Sequence, residues 1–244
     1  MILALDSSTL TLSLALLDRA GQVFEARLVP PPARQSVVLP DVLTELLAAH
    51  GKTLRDLSAL VVGLGPGSFT GLRIGLATLK GLAFTLKIPT VGVSSLAALA
   101  LDPQAPAGVE LWSIALVKKG EVYVGRFVRD ATGALQTLAP ETSMTVEQLG
   151  AALKADPRPV VIGPALVETR AALVGLGVEP HRLLPGPLVP AATSLARLAQ
   201  IPAAYDQAAL FALEPHYLRG SGAEENPKFP PLPGVEPKAR LKED

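Results

Sequence analysis

The residues with the greatest chemical potential lie at two turns. Asp6, Ser8 and Thr9 follow a short apolar run at residues 2–5. The segment Gly63-Leu64-Gly65-Pro66-Gly67-Ser68-Phe69-Thr70-Gly71-Leu72-Arg73-Ile74-Gly75 joins an apolar run at 57–62 to a longer one at 72–86. The first group offers a carboxylate and two hydroxyls at a strand end. Mg²⁺ carrying phosphate is commonly held by one or two carboxylates, so this set could manage phosphate charge. An acid at a strand end also has a plain use, initiating an Asx-turn. The second group reads as strand, glycine loop and helix, where bare backbone N–H groups can approach an anion or a partner. Arg73 could offer bidentate bonds to phosphate or carboxylate; a solvated cation at a helix start is the plain alternative.

Spacing removes several chemistries. A Walker A loop needs Gly-Lys-Ser/Thr at its end, whereas Leu72 and Arg73 follow Gly71. A dinucleotide fingerprint places its third glycine three residues after the second; Gly65, Gly67 and Gly71 give one residue too many. Gly-Pro-Gly-Ser-Phe departs from the Gly-x-Ser-x-Gly nucleophile elbow. His50, His181 and His216 form no metal-binding pair, and the chain has no cysteine. Ser68 or Thr70 suits the N-cap of the following helix.

Elements must hold these turns in place. Apolar patterning predicts strands at 2–5, 10–17 and 22–29, with a turn at Asp18-Arg19-Ala20-Gly21. Leu39, Val42, Leu43, Leu46 and Leu47 mark a helix over 37–50. A strand at 57–62, a helix at 72–86, a strand at 90–93 and a Ser94-capped helix to 101 complete a mixed sheet covered by helices. After a boundary at 102–106 the pattern partly restarts. It gives a hairpin of 111–117 and 121–128 around Lys118-Lys119-Gly120, a helix at 146–155, a strand at 160–162, and helices at 167–176 and 195–200. The expected organisation is an N-terminal lobe at 1–103, a C-terminal lobe at 104–219 and a tail at 220–244 whose Gly, Pro and charge content reads as disordered.

Within the 72–86 helix, Gly71, Gly75, Thr78 and Gly81 follow near-helical spacing beside Leu72, Leu76, Leu79, Ala83 and Leu86. Interior glycine costs about 1 kcal/mol against Ala, so close backbone approach is expected, either to the chain's own sheet or to another subunit. Formal net charge is zero, which gives no global electrostatic case for nucleic-acid binding. The N-terminus lacks a signal pattern. Residues 72–86 include Lys80 and are too short to span a bilayer. A soluble, cytoplasmic protein with no membrane role is expected.

The loop GLGPGSFTGLRIG closely resembles the signature of the TsaB (YeaZ) family. Met1 to Asp6 with Ser7-Ser8-Thr9, Ile88-Pro89-Thr90-Val91-Gly92-Val93-Ser94-Ser95-Leu96, Gly120-Glu121-Val122-Tyr123 and Glu214-Pro215-His216-Tyr217-Leu218-Arg219 resemble its other landmarks. The resemblance implies a two-lobed α/β chain of the actin/Hsp70-like ATPase (ASKHA) fold. It implies a non-catalytic partner of a TsaD-like paralogue, which transfers threonylcarbamoyl to adenosine 37 of tRNA, with a TsaE-like ATPase nearby. This chain would meet tRNA only through the complex. It would hold no metal and no cofactor of its own, ATP or ADP lying at the partner interface. Asp6, Ser8, Gly65, Gly67, Ser68, Thr70 and Arg73 would form a nucleotide- or interface-facing edge. Pairing in the family, as homodimer or with TsaD, runs through N-lobe helices, which places Leu39, Leu43, Leu46, Leu72, Gly75, Leu76 and Leu79 on the docking elements. The sequence departs from the family at one turn: Leu116-Val117-Lys118 stands where Asp-Ala-Arg is frequent. Without that second acid, autonomous Mg-ATP hydrolysis is not expected. The rival readings are a self-sufficient small-molecule kinase or glycoprotease of the same superfamily, and a scaffold dimer without nucleotide.

Overall fold

The computed structural model describes residues 1–29 and 35–218. The expected tail at 220–244 lies outside the described residues. Strand β1 (Ile2–Asp6) is buried along its whole length, which explains its unbroken apolar run: both faces of the sheet are covered. It pairs antiparallel with β2 (Leu12–Leu17) and parallel with β4 (Ala59–Gly63). With β3 (Val23–Val29) and β5 (Thr90–Val93), the order is β3-β2-β1-β4-β5.

Side-chain alternation divides this sheet into two cores. Leu3, Leu5, Leu14, Leu16, Leu60 and Val62 face α1 (Gln35–Ala48) and α2 (Phe69–Leu86), meeting Leu39, Leu43, Leu46, Leu76 and Leu79. Ile2, Ala4, Ala15, Leu17 and Val61 face the other way, toward Ala98 of α3 (Ser95–Ala100) and Ala192 and Leu195 of α6 (Ala192–Leu198).

The second sheet repeats the plan. Strands β6 (Glu110–Lys118), β7 (Glu121–Arg129) and β8 (Leu135–Thr145) form an antiparallel meander, and β9 (Val160–Ile162) adds in parallel beside β6. Leu183 makes a parallel bridge to Val161 at the place of a fifth strand. Helices α4 (Val146–Ala155) and α5 (Leu166–Gly175) cover one face through Leu149, Leu153, Leu166 and Leu173. The other face brings Leu111, Phe127 and Ile162 onto Leu96 and Leu99 of α3. Helix α3 therefore packs against both sheets. The duplication expected from pattern exists as topology.

Three local differences have physical reasons. Helix α2 begins at Phe69 rather than Leu72, because the Ser68 hydroxyl accepts from the Gly71 N–H and caps the helix before its apolar stripe starts. Strand β8 was not expected, since its sequence is polar and contains Pro140; it is an edge strand, where proline and exposed polar residues are tolerated. Helix α7 (Gln207–Ala212), capped by Asp206, packs against α2 and was also not expected.

Candidate functional site

Asp6 ends β1 with its side chain wholly buried. Its Oδ1 accepts from the Ser8 N–H at 2.9 Å and the Ser8 hydroxyl at 2.6 Å, and its Oδ2 accepts from the Ser95 hydroxyl at 2.6 Å. Burial pushes the carboxyl above its ordinary range, and the three hydrogen bonds oppose that shift. The Asx-turn is present, and the acid also joins three segments. Ser95 Oγ accepts from the Gly65 N–H at 3.1 Å, while the Ser95 N–H donates to the Gly65 carbonyl at 2.8 Å. The Ser68 N–H donates to the Ser8 carbonyl at 2.7 Å.

The glycines make this stitching possible. A Cβ at Gly63 would lie 2.0 Å from Asp6 Oδ2, and one at Gly67 would lie 2.3 Å from the Ser8 carbonyl oxygen. Gly65 adopts φ +87°, a conformation that favours glycine. The loop thus lies flat against the Asp6 turn, with Ser95 clamping both.

A cavity of about 610 Å³ opens beside this hub. Ser8, Thr9, Gly67, Ser68 and Phe69 line one side; Ala115, Leu116, Val117 and Tyr123 line another, with Pro164 and Glu168 nearby. Ser95, Leu96 and Leu99 of α3 also reach it. Asp6 and Gly65 do not line the cavity. An ATPase of this fold would require Mg²⁺ and phosphate ligands here. Both Asp6 oxygens are engaged by serine donors, the end of β6 presents Leu116 and Val117 to the cavity, and Glu168 is the one carboxylate on its described lining. Among the described residues, no group of three or more His, Cys, Asp or Glu side chains could hold a metal ion. Asp6, outside the lining, is not placed to hold Mg²⁺ carrying phosphate in this cavity.

Of the predicted edge residues, Asp6, Ser8, Gly65, Gly67 and Ser68 come together around this hub. Thr70 and Arg73 lie on the exposed outer face of α2. The Arg73 guanidinium sits 3.8 Å from the Phe69 ring centroid, and its Nε–H donates to the Tyr217 hydroxyl at 3.0 Å. The following segment is tied down as well: the His216 N–H donates to the Leu64 carbonyl at 2.8 Å, and its ring lies 3.7 Å from Glu141. Glu141 in turn accepts from the Ser94 hydroxyl.

The predicted docking residues Leu39, Leu43, Leu46, Leu72, Leu76 and Leu79 are buried within the chain. Gly75 is buried too, and a Cβ there would lie 2.2 Å from Ser7 Oγ. The close approach at Gly75 therefore comes from the chain's own first hairpin. Gly81 meets nothing within 4 Å and is exposed. Six residues separate these two glycines, so they occupy different faces at 3.6 residues per turn. Sequence reasoning missed Ser95 as the second Asp6 partner, because the contact spans 89 positions. It also missed Phe69 and Tyr217 as the seat for Arg73; their signal was two aromatics within the motifs themselves.

Comparisons with known proteins agree with this geometry. A family model described as "TsaD: tRNA N6-adenosine threonylcarbamoyltransferase" matches residues 28–209. The Escherichia coli tRNA threonylcarbamoyladenosine biosynthesis protein TsaB is 36% identical over 54% of this chain and 57% of that protein. The Bacillus subtilis protein of the same name is 35% identical over 66% of this chain and 69% of that protein. Among solved structures, YeaZ from Pseudomonas aeruginosa superposes with a TM-score of 0.66 at 28% identity, covering 81% of this chain and 89% of that one. A second structure, described as an uncharacterized protein with similarity to peptidase YEAZ from Pseudomonas aeruginosa, gives 0.70 at 27% identity, covering 89% and 99%. The chain has the α/β fold of these YeaZ structures, two mixed sheets covered by helices.

Proposed function

We propose a function that proceeds from one premise: the chain belongs to the TsaB family of tRNA threonylcarbamoyladenosine biosynthesis proteins. It acts as the non-catalytic partner of a TsaD-like enzyme, supporting threonylcarbamoyl transfer to adenosine 37 of tRNA. The observation that carries this reading is the buried Asp6, bound by Ser8 and Ser95 outside a cavity whose lining includes the apolar end of β6 at Leu116 and Val117. A carboxylate that handles metal or phosphate must reach its ligand, and Asp6 turns both oxygens to the Ser8 and Ser95 donors and does not line the cavity. A kinase would need a second acid at that turn, and a metal-dependent glycoprotease would need a histidine pair. The described lining carries one carboxylate, Glu168, and no histidine.

The chain would raise its partner's activity by binding the active shape more tightly than the inactive one; equal affinity for both would change nothing. Docking would use the outer face of α2, since its inner leucines are spent on the core. ATP or ADP, a TsaE-like ATPase and tRNA would enter through the assembly. The setting would be the cytoplasm; among the described residues no helix is long and apolar enough to cross a membrane. Two measurements on the purified chain test the reading. ATP turnover by the chain alone should stay at background, and titration into a TsaD-like enzyme should give a saturable complex. Turnover by the chain alone, or no complex, would refute it.

A further inference from the structure

The described chain ends at the rim of the cavity. Tyr217 packs its ring on Phe69, with centroids 5.5 Å apart, and Phe69 lines the cavity. The Arg73 bond to the Tyr217 hydroxyl and the His216 bond to the Leu64 carbonyl fix this exit point. The chemistry of the cavity does not suit phosphate, since its described lining carries Glu168 and no lysine or arginine. Apolar side chains dominate it, with aromatic rings from Phe69 and Tyr123. Leu10, Phe69 and Leu188 on that lining are 73%, 41% and 62% exposed, an apolar patch of the kind that marks a binding site. The volume of about 610 Å³ suits a drug-sized ligand or a few residues of chain.

The sequence that follows Leu218 supplies the complementary chemistry. Its longest apolar run is Phe229-Pro230-Pro231-Leu232-Pro233. Proline fixes φ near −65°, so such a stretch loses little freedom on binding. Proline-rich chain docks in grooves lined by aromatic rings, the part open to Phe69 and Tyr123. Residues 228–242 carry Lys228, Lys238, Arg240 and Lys242 against Glu236 alone, so the segment is cationic where the lining holds one carboxylate. The chain from Leu218 to Phe229 can span up to about 36 Å, ample for a segment that starts at the rim. We infer that the cavity is the docking site of the chain's own segment 228–242, with Phe229 and Leu232 in the apolar lining and the cations answering Glu168. The inference goes beyond the partner role and stands or falls independently of it. A nucleotide is the poorer occupant, because its phosphates would meet Glu168 and no cation. The same segment of a second copy is poorer too, because a tethered segment acts at an effective concentration on the order of mM. Once docked, the segment touches the first hairpin, the glycine loop and β6 together, and so braces the two sheets against each other.

The chain has no cysteine, so a single introduced thiol reports cover at a chosen point. The test follows alkylation of Leu10→Cys, of Leu188→Cys and, as a control off the cavity lining, of Val174→Cys. Each is made in the full chain, once with the wild-type segment and once with Phe229→Ser and Leu232→Ser together. Melting curves first confirm that every protein is folded. Both cavity thiols should react at least about tenfold faster when the segment carries the two serines, since a segment docked about nine-tenths of the time leaves one-tenth of the thiols open. The Val174→Cys rate should not change. Protection should be independent of protein concentration, and raised salt should weaken it. Equal rates with both segments at both cavity thiols would overturn the inference. Protection that grows with protein concentration would assign the cavity to a second copy and overturn it as well. Protection by Mg-ATP, equal for both segments and absent without it, would assign the cavity to a nucleotide, with the same consequence. None of these outcomes bears on the partner role.

Discussion

Replacing Gly75 by alanine tests whether the close approach beneath α2 comes from within the chain. The new Cβ would lie 2.2 Å from Ser7 Oγ, 3.1 Å from Ser7 Cβ and 3.4 Å from Leu5 Cδ2. Two opposing effects follow. Alanine in a helix interior is worth about 1 kcal/mol over glycine. Overpacking a tight site costs roughly 1–3 kcal/mol. Ser7 is wholly buried, so it cannot swing into solvent. Its hydroxyl has no hydrogen-bond partner among the described residues, so moving it breaks no bond; that puts the net effect of Gly75→Ala near the middle, about 0–2 kcal/mol destabilising. In a Ser7→Gly background the offending atoms are gone and only the ordinary contact with Leu5 remains. There Gly75→Ala should stabilise by about 1 kcal/mol. The double-mutant cycle therefore predicts a coupling of roughly 1–3 kcal/mol. Urea unfolding of the four proteins measures it. Additivity within about 0.5 kcal/mol would refute the reasoning, since independent sites behave that way.

Two other substitutions probe the described chemistry. Asp6→Asn should become progressively more stable relative to the wild type as pH rises through the carboxylate range. The folded carboxyl titrates above its unfolded value of 3.8, so the wild type loses stability from that value up through the raised one, and the asparagine does not. Melting curves across that range check it; a pH-independent difference would contradict the burial argument. Arg182 is buried and donates to three carbonyls, those of Pro159, Leu153 and Asp156, at 2.9, 2.8 and 2.9 Å. Arg182→Met should cost about 3 kcal/mol or more, because buried carbonyls lose their donors. At roughly 2–4 °C per kcal/mol for a chain of this size, the midpoint should fall by roughly 6–12 °C; a change under about 2 °C would show those bonds to be dispensable.

What the sequence made legible was local. Apolar period marked the covered strands β1, β2, β4 and β9, and short-range capping chemistry marked Ser94 as a helix start and left Ser68 and Thr70 as alternatives, of which the structure uses Ser68. The duplicated sheet plan was readable because the order of elements repeats even where residues do not. The losses were of two kinds. Strand β8 gave no alternation because it lies at an edge, where no second layer demands apolar side chains. Long-range polar contacts left no trace: Ser95 reaches Asp6 across 89 positions, and Arg182 reaches Leu153 across 29. The glycines showed a similar limit. Their number announced close approach, but only the structure assigns Gly75 to Ser7 and leaves Gly81 open.

The most direct test of the central claim is tRNA threonylcarbamoylation reconstituted from a TsaD-like enzyme, a TsaE-like ATPase and an adenylate-forming synthase, with and without this chain. The account predicts modification of adenosine 37 that requires the chain, and none from the chain alone. Modification that proceeds equally well without it, in a mixture shown to respond to a known TsaB, would contradict the account.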